Sequence, residues 1–184
     1  GKTHYIRHEV IANRPRIIVW DPKREYDMLE RFTPSQLAQQ VQRGSLRRKE
    51  YRIAVNPSDY LEDSIMVGDF IKFTRLLEAA IQHDTVIIVD ECGLFEESKK
   101  AQAGISMLAT QSRHWGCPLV LSAQCAIQIP KIARRQASVV VSFRQTDEED
   151  IDALKRFFRE KASSIAKVPR REHLIWREED SFND

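Results

Sequence analysis

Two stretches of the chain are apolar without interruption for the length of a strand, and both run into acid. Thr85–Glu91 reads T-V-I-I-V-D-E, and residues 16–21 read R-I-I-V-W-D. Aliphatic, mostly β-branched runs with no polar alternation predict strands buried on both faces of a sheet. Pro118–Gln124 (P-L-V-L-S-A-Q) predicts another, Tyr51–Val55 and Ser138–Phe143 two more, and His173–Trp176 the last. Between them, apolar residues return at helical spacing. Phe70, Phe73, Leu76, Leu77, Ala80 and Ile81 predict an amphipathic helix over residues 69–83.

The remaining helices are marked by their ends. One runs from Thr3 to about Ala12, stopped by Arg14-Pro15. Thr33-Pro34 reads as a cap and a first-turn proline, opening a helix through Leu37 and Val41 that stops at Gly44. A helix through Ile105 and Leu108 follows the polar segment 96–100, and residues 127–136 are short, basic and partly helical. Asp147 caps a helix with Glu148, Glu149 and Asp150 in its first turn and Ile151, Leu154, Phe157 and Phe158 on its apolar face. Residues 22–32 read as a polar connection and residues 56–59 as a turn. Strands alternating with helices predict an α/β fold, its mostly parallel sheet covered on both sides.

Length and charge narrow the picture only a little. At 184 residues the expectation is one domain over residues 1–177, followed by an acidic tail over 178–184. With 29 Lys+Arg against 27 Asp+Glu the net charge is +2, which excludes a polycationic tail and leaves room for local basic patches. Arg43, Arg47, Arg48 and Lys49 form such a patch, although a charge run is usually a solvated face. Cys92, Cys117 and Cys125 fit no pairing or zinc spacing and read as free thiols of a reducing, intracellular setting. No apolar run reaches the length of a membrane span. His4 and His8 share a helix face with no third ligand in view, so packing or surface roles are expected of them.

The chemistry lies at the strand ends. An open α/β sheet binds its ligand beyond the carboxyl ends of its strands, where Asp90 and Glu91 arrive together. An Asp there can hold Mg²⁺ through the ion's water shell, and the Glu beside it can take a proton from an attacking water. Gly1-Lys2-Thr3 matches the last three positions of the phosphate-binding loop G-x-x-x-x-G-K-[ST]. In that loop backbone amides cradle phosphates, the Lys reaches the outer oxygens and the hydroxyl is a Mg²⁺ ligand. Gly1, Lys2 and Thr3 are therefore expected to bind nucleotide, with Thr3 and Asp90 on the metal. Such a loop needs an apolar strand and a glycine-rich turn before it, so both are expected upstream of Gly1. Gln124, at the end of the neighbouring strand, is placed to touch the terminal phosphate or the water. Arg113, in S-R-H-W-G, is a candidate for stabilising transferred charge from an adjacent subunit, with Arg144 its rival.

Four features in order resemble the FtsK/HerA superfamily of DNA-translocating P-loop ATPases. They are G-K-T with its helix, I-I-V-W-D-P-K-R-E-Y, V-I-I-V-D-E, and S-R-H-W-G-C-P-L-V-L-S-A-Q. The turn Asp21-Pro22-Lys23 matches that family's pattern, while Ser112 stands where it has Gly. The resemblance spans about residues 1–145. It implies a RecA-like (ASCE) sandwich, ATP and Mg²⁺ as cofactors, and a homo-oligomeric ring, commonly a hexamer, with double-stranded DNA in its pore. The chain's small size is most similar to viral genome-packaging ATPases. That implies capsid or portal-vertex partners and a place in the host cytoplasm or at the packaging vertex of the virion. The Zot-like ATPases of filamentous phage assembly are the second resemblance. A nucleotide-binding structural subunit that does not hydrolyse is the reading from another class.

Overall fold

The protein is described here by a computed structural model that covers residues 1–179. A helix, α1 (Lys2–Tyr5), widens into a π turn over Ile6–Val10 and leads to β1 (Arg16–Trp20). Then come β2 (Glu30–Phe32), α2 (Pro34–Gln42), β3 (Tyr51–Val55), α3 (Asp63–Ala80) and β4 (Val86–Val89). The chain continues with α4 (Lys99–Gln111), β5 (Leu119–Leu121), α5 (Lys131–Arg135), β6 (Val139–Ser142), α6 (Glu148–Phe158) and β7 (Leu174–Arg177). Five strands form a parallel sheet in the order β2-β3-β1-β4-β5.

Successive residues of a strand point to opposite faces, and the core divides accordingly. Ile18, Trp20, Ile53, Val55, Ile87 and Val89 meet Leu37, Phe70, Phe73, Ile105 and Leu108 from α2, α3 and α4. Ile17, Val19, Ala54, Val86 and Ile88 meet Ile6, Ile11, Tyr26 and Leu29 on the other face. The uninterrupted aliphatic runs of β1 and β4 are thus buried on both sides, as a parallel sheet requires. Trp20 is the centre of the larger layer, edge-on to Phe70 with centroids 5.2 Å apart, while Phe70 stacks on Phe95 at 4.2 Å.

The expected caps form. Thr33 and Gln36 make a reciprocal capping box on α2, Gly44 takes a left-handed φ of 79° just past that helix, and Asp147 accepts from Glu149 and Asp150.

Three expectations need revision. Helix α3 starts at Asp63, six residues before the predicted Asp69. Gly68 weakens the local helical signal, yet Met66 packs in the same core layer one turn before Phe70. Asp69 is buried within the helix and accepts the Ser58 amide at 2.7 Å, tying down the incoming loop. The connection 22–32 contains β2, an edge strand too short and too polar to read by pattern. The strand at 138–143 does not join the central sheet: β6 pairs antiparallel with β7.

A cavity of about 1210 Å³ separates β5 from β6. Arg113 Nη2 donates to the Gln136 carbonyl (2.7 Å) ahead of both strands, and Gln145 Nε2 donates to the Gln124 carbonyl (3.0 Å) beyond them. The two strands therefore run in the same direction across the gap. Leu119, Val120 and Leu121 are only half-buried, because their outer edge faces this space. Of the acidic tail, residues 180–184 lie outside the described residues. Among those described, no helix is long and apolar enough to cross a membrane.

Candidate active site

The site is assembled by a turn, residues 21–26, at the carboxyl end of β1. Asp21 is fully buried and builds it. Its amide donates to the Val55 carbonyl (2.9 Å), and its carboxylate accepts the amides of Glu25 (2.8 Å) and Tyr26 (3.1 Å). The Asn56 side-chain amide closes the arrangement on the Asp21 carbonyl. An acid used this way organises backbone rather than chemistry.

The turn holds out three side chains, each to a residue singled out by sequence. Lys23 Nζ pairs with Glu91 Oε1 at 2.9 Å. Glu25 Oε2 accepts the Thr3 hydroxyl at 2.8 Å. Tyr26 OH donates to Asp90 Oδ2 at 3.3 Å. Thr3, Asp90 and Glu91 are thereby gathered around one turn at one edge of the sheet, though they are up to 88 positions apart in the chain.

Asp90 is buried, and its other oxygen accepts the Ser122 hydroxyl and the Glu91 amide. Burial pushes its pKa above the ordinary carboxylate value; the charges of Glu91 and Glu25 add to this, and the Ser122 bond opposes it. Tyr26 is raised too, by burial first and then by the Asp90 charge, so it stays a phenol and a donor. Glu91 is also buried, and its backbone is left-handed at φ 55° and ψ 50°. Its second oxygen receives Gln124 Nε2 at 3.4 Å. Cys92, next in the chain, is pushed up to about 12 by burial and is no nucleophile.

Gly1 and Lys2 line the mouth of the cavity between β5 and β6, with the Phe143 ring 3.5 Å from where a Cβ of Gly1 would sit. Arg144, exposed, lies between Phe143 and Gln145, whose amide is bonded to the Gln124 carbonyl. Gly1, Lys2, Thr3, Asp90, Glu91, Gln124 and Arg144 thus share the carboxyl edge. Arg113 does not join them. It precedes β5, and its guanidinium is spent on Gln136 at the amino edge, so its own subunit's acids are out of reach. The basic residues 43–49 precede β3 and fall at that same opposite edge. Tyr26, Glu25 and Ser122 were not singled out by sequence. The first two lie within the quoted I-I-V-W-D-P-K-R-E-Y, but only contact with Asp90 and Thr3 reveals their part.

The donors near Thr3 and Asp90 are all oxygen, which suits Mg²⁺. Among the described residues no three His, Cys, Asp or Glu gather into a ready-made cage. Magnesium held by one carboxylate, one hydroxyl and substrate phosphates needs none.

A buried carboxylate with a raised pKa favours folding in acid, and that contribution is lost as pH rises through the folded value. Asp90→Asn is therefore expected to raise Tm at neutral pH, by about 2–4 °C per kcal/mol recovered, and the gain should shrink towards pH 4. Calorimetry in EDTA at several pH values checks this.

No family model matches the chain, and no curated protein does. Solved structures do. The genome packaging NTPase B204 from Sulfolobus turreted icosahedral virus 2, in complex with ATP-gammaS, superposes with a TM-score of 0.71 at 19% identity, covering 98% of this chain and 88% of that one. Its sulfate complex gives 0.70 at 20% identity, covering 98% and 86%. B204 described as the DNA-packaging ATPase from Sulfolobus turreted icosahedral virus gives 0.69 at 18%, with 98% and 88% covered. The α/β fold, with its parallel sheet and flanking helices, is shared with these packaging NTPase structures.

Proposed function

We propose that this protein is the ATPase of a DNA-packaging motor. One observation carries the reading. The Gly1-Lys2-Thr3 segment, which opens the first helix, is joined through Glu25 to the turn that pairs with the Asp90-Glu91 strand end. A triphosphate between them would meet a lysine and helix amides on one side and paired acids on the other. Similarity to the B204 structures with AMPPCP and ATP-gammaS supports nucleotide as the ligand.

The cavity beside Gly1 supports it as well. The cavity of about 1210 Å³ lies along the outer edge of β5, the last strand of the sheet. The phosphate-loop reading calls for an apolar strand leading into Gly1, and this is where it would pair.

In the proposed reaction Lys2 and the amides of α1 bind phosphate oxygens. Thr3 and Asp90 would hold Mg²⁺, which would supply charge neutralisation at the phosphates when bound. Glu91 takes the proton from the attacking water, and Gln124 orients that water. Arg144 stands at the same edge of its own subunit; Arg113 could reach a site only across a subunit boundary, consistent with a ring. The polymer is double-stranded DNA, the assembly a hexameric ring, its partners capsid or portal-vertex proteins, and its setting the host cytoplasm or the virion.

Phosphate release with and without duplex DNA tests the reading. A several-fold stimulation that fades with salt is expected; indifference to duplex with a response to coat protein would favour the phage-export reading. Mixing subunits separates the arginines. An Arg113→Ala chain and a Glu91→Gln chain, each inactive alone, should recover partial turnover when mixed if Arg113 acts in trans. Arg144→Ala, if Arg144 acts in cis with Glu91, should not complement Glu91→Gln, because no mixed site then holds both groups. Recovery with Arg144→Ala and none with Arg113→Ala would give the trans role to Arg144 instead.

A further inference from the structure

Glu91 is held on both sides by its own chain. Oε1 accepts from Lys23 Nζ at 2.9 Å and Oε2 from Gln124 Nε2 at 3.4 Å. The two partners come from the two strands that flank β4: Lys23 from the turn after β1, Gln124 from the segment after β5. The Glu91 backbone is left-handed, a conformation that residues with a side chain keep only where surrounding contacts fix it. Lys23 is partly exposed beside it, with 32% of its side-chain surface open to solvent. A carboxylate that must accept a proton from water needs the lone pair this ammonium occupies.

We propose that Lys23 is a positioning residue that holds Glu91 in a resting geometry, and that the turn 21–26 must release Oε1 before hydrolysis. The same turn supplies the trigger. Glu25, two residues on, accepts the Thr3 hydroxyl at 2.8 Å, the group expected to turn towards nucleotide and its metal. Binding at Lys2-Thr3 therefore takes a hydrogen bond from the turn that restrains the base. One short segment, fixed at its root by Asp21, reports occupancy at one end and frees the base at the other. A coupling of this kind needs an element with two arrangements that both sites bias, and the turn is that element.

The inference rests on the ATPase reading, and its test keeps the two apart. In the full-length protein without DNA, Lys23→Met preserves reach and removes charge. It is expected to raise kcat for phosphate release roughly three- to tenfold with KM within about twofold, while Lys23→Arg restores the wild-type rate. A lysine with only a structural part would give unchanged or lower kcat, and either result overturns the proposal. Hydrogen exchange needs no turnover. Added AMPPCP should speed exchange in residues 21–26 of the wild type but not of Lys23→Met; equal exchange with and without the analogue also overturns it. A wild type that binds AMPPCP yet releases no phosphate refutes the ATPase reading alone, and the exchange result still decides Lys23.

Discussion

Glu91→Gln is expected to lower phosphate release by about 10²- to 10⁴-fold, the usual contribution of a positioned general base. The amide keeps the volume of the side chain, its one oxygen can still accept from Lys23, and its NH2 can donate to the Gln124 oxygen once that amide flips, so the local packing should survive. What it loses is the ability to take a proton. Nucleotide affinity, followed with a fluorescent ATP analogue, should stay within a few-fold, because no phosphate-binding group is removed. The Lys23 pair is partly exposed, so its loss should cost no more than about 1 kcal/mol of stability. A loss of turnover with binding and fold retained is the signature sought. Turnover equal to wild type would remove the enzyme assignment and leave a nucleotide-binding structural subunit.

Phe70→Ala should have the largest effect on stability. Phe70 is fully buried, stacked on Phe95 at 4.2 Å and edge-on to Trp20 at 5.2 Å. Truncation removes both ring contacts and leaves a void that the rigid sheet beneath cannot close. The expected loss is about 3–5 kcal/mol, against a total of about 5–15 for a domain. For a chain of this size that is a fall in Tm of roughly 10–15 °C, read by calorimetry or by the urea midpoint. Phe70→Leu, which fills most of the space, should lose less than half as much. The site should suffer with the core, because Trp20 leads directly into Asp21 and Phe95 follows Glu91 by four residues. A well-folded Phe70→Ala protein with unchanged Tm would show that this aromatic layer does not bear on the sheet.

Much of this could be read directly from sequence, and for a physical reason. The runs R-I-I-V-W-D and T-V-I-I-V-D-E are buried on both faces, so no polar alternation obscures them, and their acids mark where the strands stop. Thr33, Gly44 and Asp147 were legible because capping is local chemistry between residues a few positions apart. Elements whose stability comes from elsewhere were not. β2 is held by pairing with β3 rather than by its own residues, Glu30, Arg31 and Phe32. The first turn of α3 is held by Met66 in the core.

The sequence alone determined the fold class, the order of strands and helices along the chain apart from the edge strand β2, and which residues carry candidate chemistry, since each follows from the periodicity and identity of neighbours along the chain. Only the tertiary structure decided how those residues meet. It placed Thr3, Lys23, Tyr26, Asp90 and Glu91 around one turn, and it set Arg113 at the far edge from them. Such contacts join positions tens of residues apart, and they depend on strand order, which no local pattern encodes. β1 and β5 flank β4, and for that reason Lys23 and Gln124 can both reach Glu91.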